Sequence, residues 1–195
     1  MTIRDAASAD FSQILALNEA HVHFLSALDE ARLASLHAQA AYHRVNDDGD
    51  GVVGAFLLAL REGQTYDSPN YSWFASRYSR FLYIDRIVIA ATRQSRGLGR
   101  ALYDDLLVFA RASDVAVVVC EIDEDPPNPT SMLFHQARGF REVGSHVVGA
   151  NHKRVSLQEL ALDNSNAHPG ADGPVFGGCQ PGSGASAGSG DVRHP

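Results

Sequence analysis

The chain has 195 residues, 45% of them hydrophobic and 20% charged, with a formal charge of −7. That length supports one domain with a sizeable core, and the acidic balance argues against nucleic acid or an anionic membrane surface as main partner, since both call for a basic face. The opening MTIRDAASADF lacks the apolar centre of a secretory signal, no apolar run reaches the ~18 residues of a membrane-spanning helix, and Cys120 and Cys179 suggest no disulfide framework, so a reducing cytoplasm is expected.

In chain order, residues 1–5 read as a short strand. Ser8 or Asp10 can cap a helix to about His21, along which Phe11, Ile14, Leu15 and Leu17 form an apolar stripe. Asp29 can cap a second helix carrying Leu33, Leu36 and Ala40. Strands at 42–46 and 51–60 flank Asn46-Asp47-Asp48-Gly49-Asp50-Gly51, a hairpin signal. A polar and aromatic loop is predicted over 61–80, then a strand at 81–90 (FLYIDRIVIA) and a helix from Gly97 to Ala112. VAVVVCEI (115–122) has the near-continuous apolar character of a buried strand. A short helix over 130–138 ends at Gly139, and strands at about 140–148 and 152–162 complete the domain. The expected class is α/β, a mixed, mostly antiparallel twisted sheet flanked by helices over 1–163. From Asn164 onward, Gly, Ser, Ala, Pro and Asp dominate, and 164–195 is expected to be a disordered tail, too poor in apolar surface to offset its ordering entropy.

The stretch Gln94-Ser95-Arg96-Gly97-Leu98-Gly99-Arg100 lies between an apolar strand and an amphipathic helix. A helix amino terminus presents free backbone N–H groups and the positive end of the helix dipole, which suits a diphosphate. Gly97 and Gly99 let the backbone come close to phosphate oxygens, and Arg93, Arg96 and Arg100 add cationic donors. Neither a G-K-[ST] P-loop nor a G-x-G-x-x-G after a first strand is present.

The strand 81–90 followed by QSRGLG resembles motif A of the GNAT superfamily of N-acetyltransferases, usually Q/R-x-x-G-x-G/A. Asn128 to Phe140 resembles its motif B: Asn128 matches the asparagine, Ser131 the small residue, and Gly139-Phe140 the closing pair. The resemblance implies the GNAT fold and acetyl-CoA as acyl donor. It also implies a pyrophosphate held by Gln94, Arg96, Gly97, Leu98, Gly99 and Arg100. The pantetheine arm would run along a splayed strand end at Ile87 and Ile89, with Asn128 and Ser131 beside it. Asn128 reads equally well as a helix cap. Where the family commonly has a tyrosine that protonates the departing thiolate, this chain has His135. It stands as either the acid or a half-buried neighbour of the cofactor.

Transfer to an amine needs a base, an oriented amine and a stabilised oxyanion. Strict alternation along 81–90 would put Tyr83, Asp85, Ile87 and Ile89 on one face. Asp85 is then the leading base candidate, with an Asp85–Arg86 ion pair as the alternative and Glu121, Asp123 and Glu19 behind it. Family members carry a glutamate base at the position matching Tyr83, which places Tyr83 on the substrate side. Within 61–80, Tyr71 and Trp73 are expected to help line an amine site, while the same aromatics suit a pinned surface loop or a homodimer contact. The H-x-H at His21 and His23 lacks further ligands, so no metal is expected. The expected function is N-acetylation of a primary amine, probed against two alternatives: a non-catalytic acyl-CoA sensor and a protein N-terminal acetyltransferase.

Overall fold

The computed structural model describes residues 2–23, 25–47, 49, 51–149 and 153–162. The tail expected over 164–195, with Cys179, lies outside the described residues. The elements are β1 (Thr2–Asp5), α1 (Phe11–Glu19), α2 (Glu30–Gln39), β2 (Ala40–Asp47), β3 (Val53–Arg61), α3 (Pro69–Ala75), β4 (Phe81–Ile89), α4 (Leu98–Ala112), β5 (Val117–Asp125), α5 (Pro129–Gln136), β6 (Arg141–Val148) and β7 (Lys153–Ala161).

All seven strands form one sheet in the order β1-β2-β3-β4-β5-β7-β6. Every neighbouring pair is antiparallel except β4 and β5, which run parallel. β3 is buried on both faces, as its unbroken VGAFLLAL requires. On one face α1 and α2 bring Phe11, Ile14 and Leu33 onto Val45, Phe56 and Val88. The same face continues with Leu36, Tyr71 and Phe74 against Leu58, Tyr83 and Val119. On the other face α4 lays Leu102, Tyr103 and Leu106 over Leu57, Leu82, Ile84 and Val118, and α5 adds Met132 and Phe134.

Two local expectations change. The segment 61–80 is not a loop throughout, because α3 forms within it. Ser68 caps this helix, its Oγ accepting from the Tyr71 N–H at 3.2 Å, and Pro69 occupies the first turn, where its missing N–H costs nothing. At α1, neither Ser8 nor Asp10 caps in the expected way. Ser8–Asp10 forms a 3-10 turn, and the Asp10 carboxylate turns back to accept from the Ala7 N–H and the Arg4 guanidinium, each at 2.8 Å. Asp29 does cap α2, accepting from the Arg32 N–H at 2.7 Å. No helix among the described residues is long and apolar enough to cross a membrane.

Candidate active site

The parallel pair β4–β5 is joined only over Phe81–Tyr83 and Val117–Val119, although both strands continue for several residues. Beyond Tyr83 the strands diverge, and the backbone edges that would have paired are left facing a gap. A cavity of about 850 Å³ occupies this splay and passes through the sheet from one face to the other. On the α4–α5 side it is bordered by Ile87, Tyr103, Cys120, Asn128, Ser131 and His135. On the opposite side Tyr66, Tyr83, Glu121 and Lys153 border it.

A bulge in β4 decides which side chains face which half. Leu58 pairs with Arg86 and Ala59 with Ile84, so Asp85 is the extra residue. An inserted residue reverses the alternation after it. Tyr83 therefore packs with Phe74 and Val119, whereas Ile87 and Ile89 pack with the α4 cluster on the other face. The single face expected for Tyr83, Asp85, Ile87 and Ile89 is thus corrected: the bulge divides them.

At the end of β4 the chain turns into α4. Gly97 stands at the helix N-cap with φ +78, a left-handed conformation that an L side chain rarely adopts. The first intrahelical bond runs from the Ala101 N–H to the Gly97 carbonyl at 2.9 Å, so the amides of Leu98, Gly99 and Arg100 point out of the helix end. A Cβ on Gly97 would meet nothing within 4 Å, so it is the backbone conformation and not crowding that calls for glycine there. Gly99 serves packing: a Cβ there would lie 3.0 Å from Ile89 Cδ1 and 3.7 Å from the Phe134 ring. Leu98 is buried and Arg96 and Arg100 are exposed. Gln94 is extended and Arg93 covers Gly54. This loop and Ile89 lie at the strand end, outside the lining of the cavity, which Ile87 reaches.

On the opposite half, Glu121 Oε1 accepts a hydrogen bond from the Tyr83 hydroxyl at 3.0 Å. Its Oε2 is buried without a hydrogen bond among the described residues. Burial pushes the carboxyl up to about 7, against the polar groups of Tyr83 and Asn70, with the negative charge of Asp85 adding to the rise. Asp85 is differently placed. Its Oδ2 meets Arg86 Nε at 2.6 Å, with both side chains 3% exposed, and its Oδ1 accepts from the Tyr66 hydroxyl. Arg86 also donates to Asn18 Oδ1 at 2.8 Å and to Ser26 Oγ at 3.2 Å. Asp85 is thus the buried partner of an arginine that ties β4 to the α1–α2 connection.

His135 is buried on α5. Its Nδ1 lies 2.7 Å from the Ser131 carbonyl oxygen, which can only accept, so Nδ1 carries the proton. Its Nε2 then accepts from the Tyr103 hydroxyl at 2.5 Å. Burial holds the imidazole below its ordinary value and pushes the Tyr103 phenol well above its own. Both ring nitrogens are therefore engaged. Tyr103 had no signal in the sequence, because it stands on the same α4 stripe as Leu102 and Leu106 and reads as core. Asn128 caps α5, its Oδ1 accepting from the Ser131 N–H at 3.1 Å.

The aromatic segment contributes its residues up to the start of α3 rather than the helix body. Tyr66 to Asn70 line the cavity, but Tyr71 and Trp73 do not. Tyr71 is buried, its hydroxyl donating to the Arg61 carbonyl at 2.8 Å and accepting from the Gln64 N–H at 2.9 Å. Trp73 stacks under the Arg77 guanidinium at 3.6 Å and packs on Gly144. Of the residues expected on the substrate side, Tyr83 therefore lines the cavity, and Tyr71 and Trp73 lie outside its lining. His21 lines it too, its Nδ1 bonded to the Leu17 carbonyl at 3.0 Å. Among the described residues no group of three or more His, Cys, Asp or Glu is arranged to hold a metal ion.

Comparison with curated proteins gives no match. Solved structures share the fold at low identity. Ard1 from Thermoplasma volcanium superposes with a TM-score of 0.68 at 16% identity, over 83% of this chain and 97% of its own. YncA from Salmonella typhimurium, described as a putative acetyltransferase with its cofactor acetyl-CoA, gives 0.64 at 22% identity, over 88% and 98%. The ribosomal-protein-alanine N-acetyltransferase from Brucella melitensis gives 0.64 at 21% identity, over 83% and 100%. The sequence itself matches the acetyltransferase (GNAT) family over residues 4–140, a span holding the splayed strands, the glycine turn into α4 and the capped α5. A sheet opened between two parallel strands, with a helix amino terminus at its mouth, is what those residues build, and the chain belongs to the GNAT acetyltransferase family.

Proposed function

We propose that this protein transfers an acetyl group from acetyl-CoA to the primary amine of a small molecule. The observation that carries the proposal is the position of Glu121: a carboxyl raised to about 7 inside the β4–β5 splay, with one oxygen held by Tyr83. A base whose affinity for a proton lies near the working pH is well matched to accepting one from an ammonium.

The residues fit the donor. Gly97, Gly99 and the outward amides at the start of α4 suit a diphosphate, and Gln94, Arg96 and Arg100 stand exposed beside them in the chain. Ile87 and Ile89 flank the unpaired edge of β4, where an extended pantetheine arm can pair with the backbone. Asn128 spends its carbonyl oxygen on the α5 cap and keeps its amide nitrogen for a ligand, beside Ser131. Acetyl-CoA brings an activated thioester carbonyl. Glu121 takes the amine proton as the C–N bond forms, and backbone N–H groups of the open β4 edge receive the oxyanion. As the C–S bond breaks, the thiolate takes a proton from the Tyr103–His135 pair. His135 is neutral with its N–H committed to Ser131, and the one phenolic proton of Tyr103 rests on His135 Nε2, so protonating the thiolate requires the Tyr103 O–H to turn from Nε2 to the sulfur, the phenolate then regaining a proton from solvent. Asp85 keeps β4 and Arg86 in place and is not the base.

Calorimetry with acetyl-CoA and release of free thiol with a panel of amines test this. Micromolar binding with amine-dependent thiol release is expected. Binding without turnover across small amines and peptides would point to an acyl-CoA sensor, and turnover with peptides alone to a protein acetyltransferase.

A further inference from the structure

The cations that line the cavity are all already committed to acids that line it with them. Among the described lining residues these cations are Arg32, Arg86 and Lys153, the histidines aside. Arg32 pairs with Asp67 and also lies over the Tyr66 ring at 5.1 Å. Arg86 pairs with Asp85 at 2.6 Å and gives its remaining donors to Asn18 and Ser26. Lys153 Nζ lies 2.5 Å from Asp123 Oδ2. Two lining carboxylates, Glu121 and Asp125, are left without a salt bridge among the described residues. The non-cofactor half of the cavity is completed by Leu25, Val148 and Val155, with the Tyr66 ring beside them.

Such a wall attracts an ammonium group and repels an anion. A carboxylate or phosphate on the acceptor would enter beside Glu121 and compete for cations already paired, Arg86 in a buried pair and Lys153 in a half-buried one, while the Arg32–Asp67 pair at the mouth is largely exposed and weaker. An apolar or further cationic body meets no such competition. Resting on the acetyltransferase reading above, we propose that the acceptor is a primary amine whose body carries no carboxylate or phosphate: an aralkyl- or alkylamine rather than an amino acid, an amino sugar phosphate or an aminophosphonate.

The test uses matched pairs that differ by a carboxylate alone: 2-phenylethylamine against phenylalanine, tyramine against tyrosine, and 1,4-diaminobutane against ornithine. Thiol release from acetyl-CoA by the full chain gives kcat/KM for each, and calorimetry on the CoA-loaded protein gives binding. In at least one pair the amine without the carboxylate is expected to be preferred by about 100-fold or more. Asp67→Asn, which releases Arg32 from a largely exposed pair, is expected to narrow that gap by about two- to fivefold. Equal or better use of the amino acid in any pair overturns the proposal, as does an unchanged ratio in Asp67→Asn, or a failure of every amine to bind while CoA binds. Loss of acetyl-CoA binding itself is a separate result and strikes the acetyltransferase reading instead.

Discussion

The Tyr83 hydroxyl donates to Glu121 Oε1 across the gap between β4 and β5, at 3.0 Å, just where the two parallel strands stop pairing. This contact holds one oxygen of the carboxylate and leaves the other buried at the cavity. Had the strands stayed paired, Glu121 would have faced packed side chains with no room for an amine.

Glu121→Gln should lower kcat/KM on the order of 10²–10⁴-fold near pH 7 while leaving acetyl-CoA affinity intact. On the proposed reading the native protein should lose kcat/KM as pH falls below about 7, where Glu121 is protonated, and the variant should lack that limb. Stability has the opposite sign. The folded state holds this proton more tightly than the unfolded chain, so stability falls as pH rises from 4.5 through about 7. Urea unfolding at pH 8 should show Glu121→Gln more stable than the native protein by on the order of 3 kcal/mol, a difference that disappears below pH 4.5.

Asp85→Asn should act on the fold. Removing one member of a buried pair strands the charge of Arg86, at a cost of about 3 kcal/mol. The loss should register as a lower urea midpoint. Turnover per folded molecule should change by less than in Glu121→Gln, and a rate loss matching that of Glu121→Gln with native stability would return the base role to Asp85.

Gly97→Val should weaken acetyl-CoA binding at least about tenfold and cost about 1–2 kcal/mol, since φ +78 is strained for a branched L residue. Gly97→Asn separates the two effects. Asparagine tolerates left-handed backbone, so stability should hold while its side chain intrudes on the space before the α4 amides. Calorimetry and thermal unfolding on the pair of variants read the two quantities.

Tyr103→Phe keeps the ring packed against Phe134 and removes only the hydroxyl that His135 accepts from. The lost hydrogen bond should cost about 1 kcal/mol of stability. If the phenol delivers the proton to the departing thiolate, kcat should fall by about 100-fold with KM for acetyl-CoA unchanged. An unchanged kcat would confine Tyr103 and His135 to packing.

Much of the fold was legible because its signals are local. Asp29 before an apolar stripe caps a helix because a carboxylate satisfies amides only a few residues ahead. Gly97 between strand and helix carries its meaning in its own φ, and Asn128 before α5 is the same capping chemistry as Asp29. Even α3 was written locally, in Ser68-Pro69, although the aromatic composition of 61–80 masked it.

What the chain by itself determined is the sheet with its flanking helices, the family and the glycine turn that suits a diphosphate, since each follows from neighbours within a few residues. Only the tertiary structure decided the chemistry between the strands. The extra residue at Asp85 is visible only in the pairing of β4 with β3, and it sends Tyr83 to one face and Ile87 and Ile89 to the other. The affinity of Glu121 for a proton comes from burial among side chains far apart in sequence, and the union of Tyr103 with His135 joins α4 to α5. Desolvation and long-range contacts depend on what folding brings together, and no local pattern of residues encodes them.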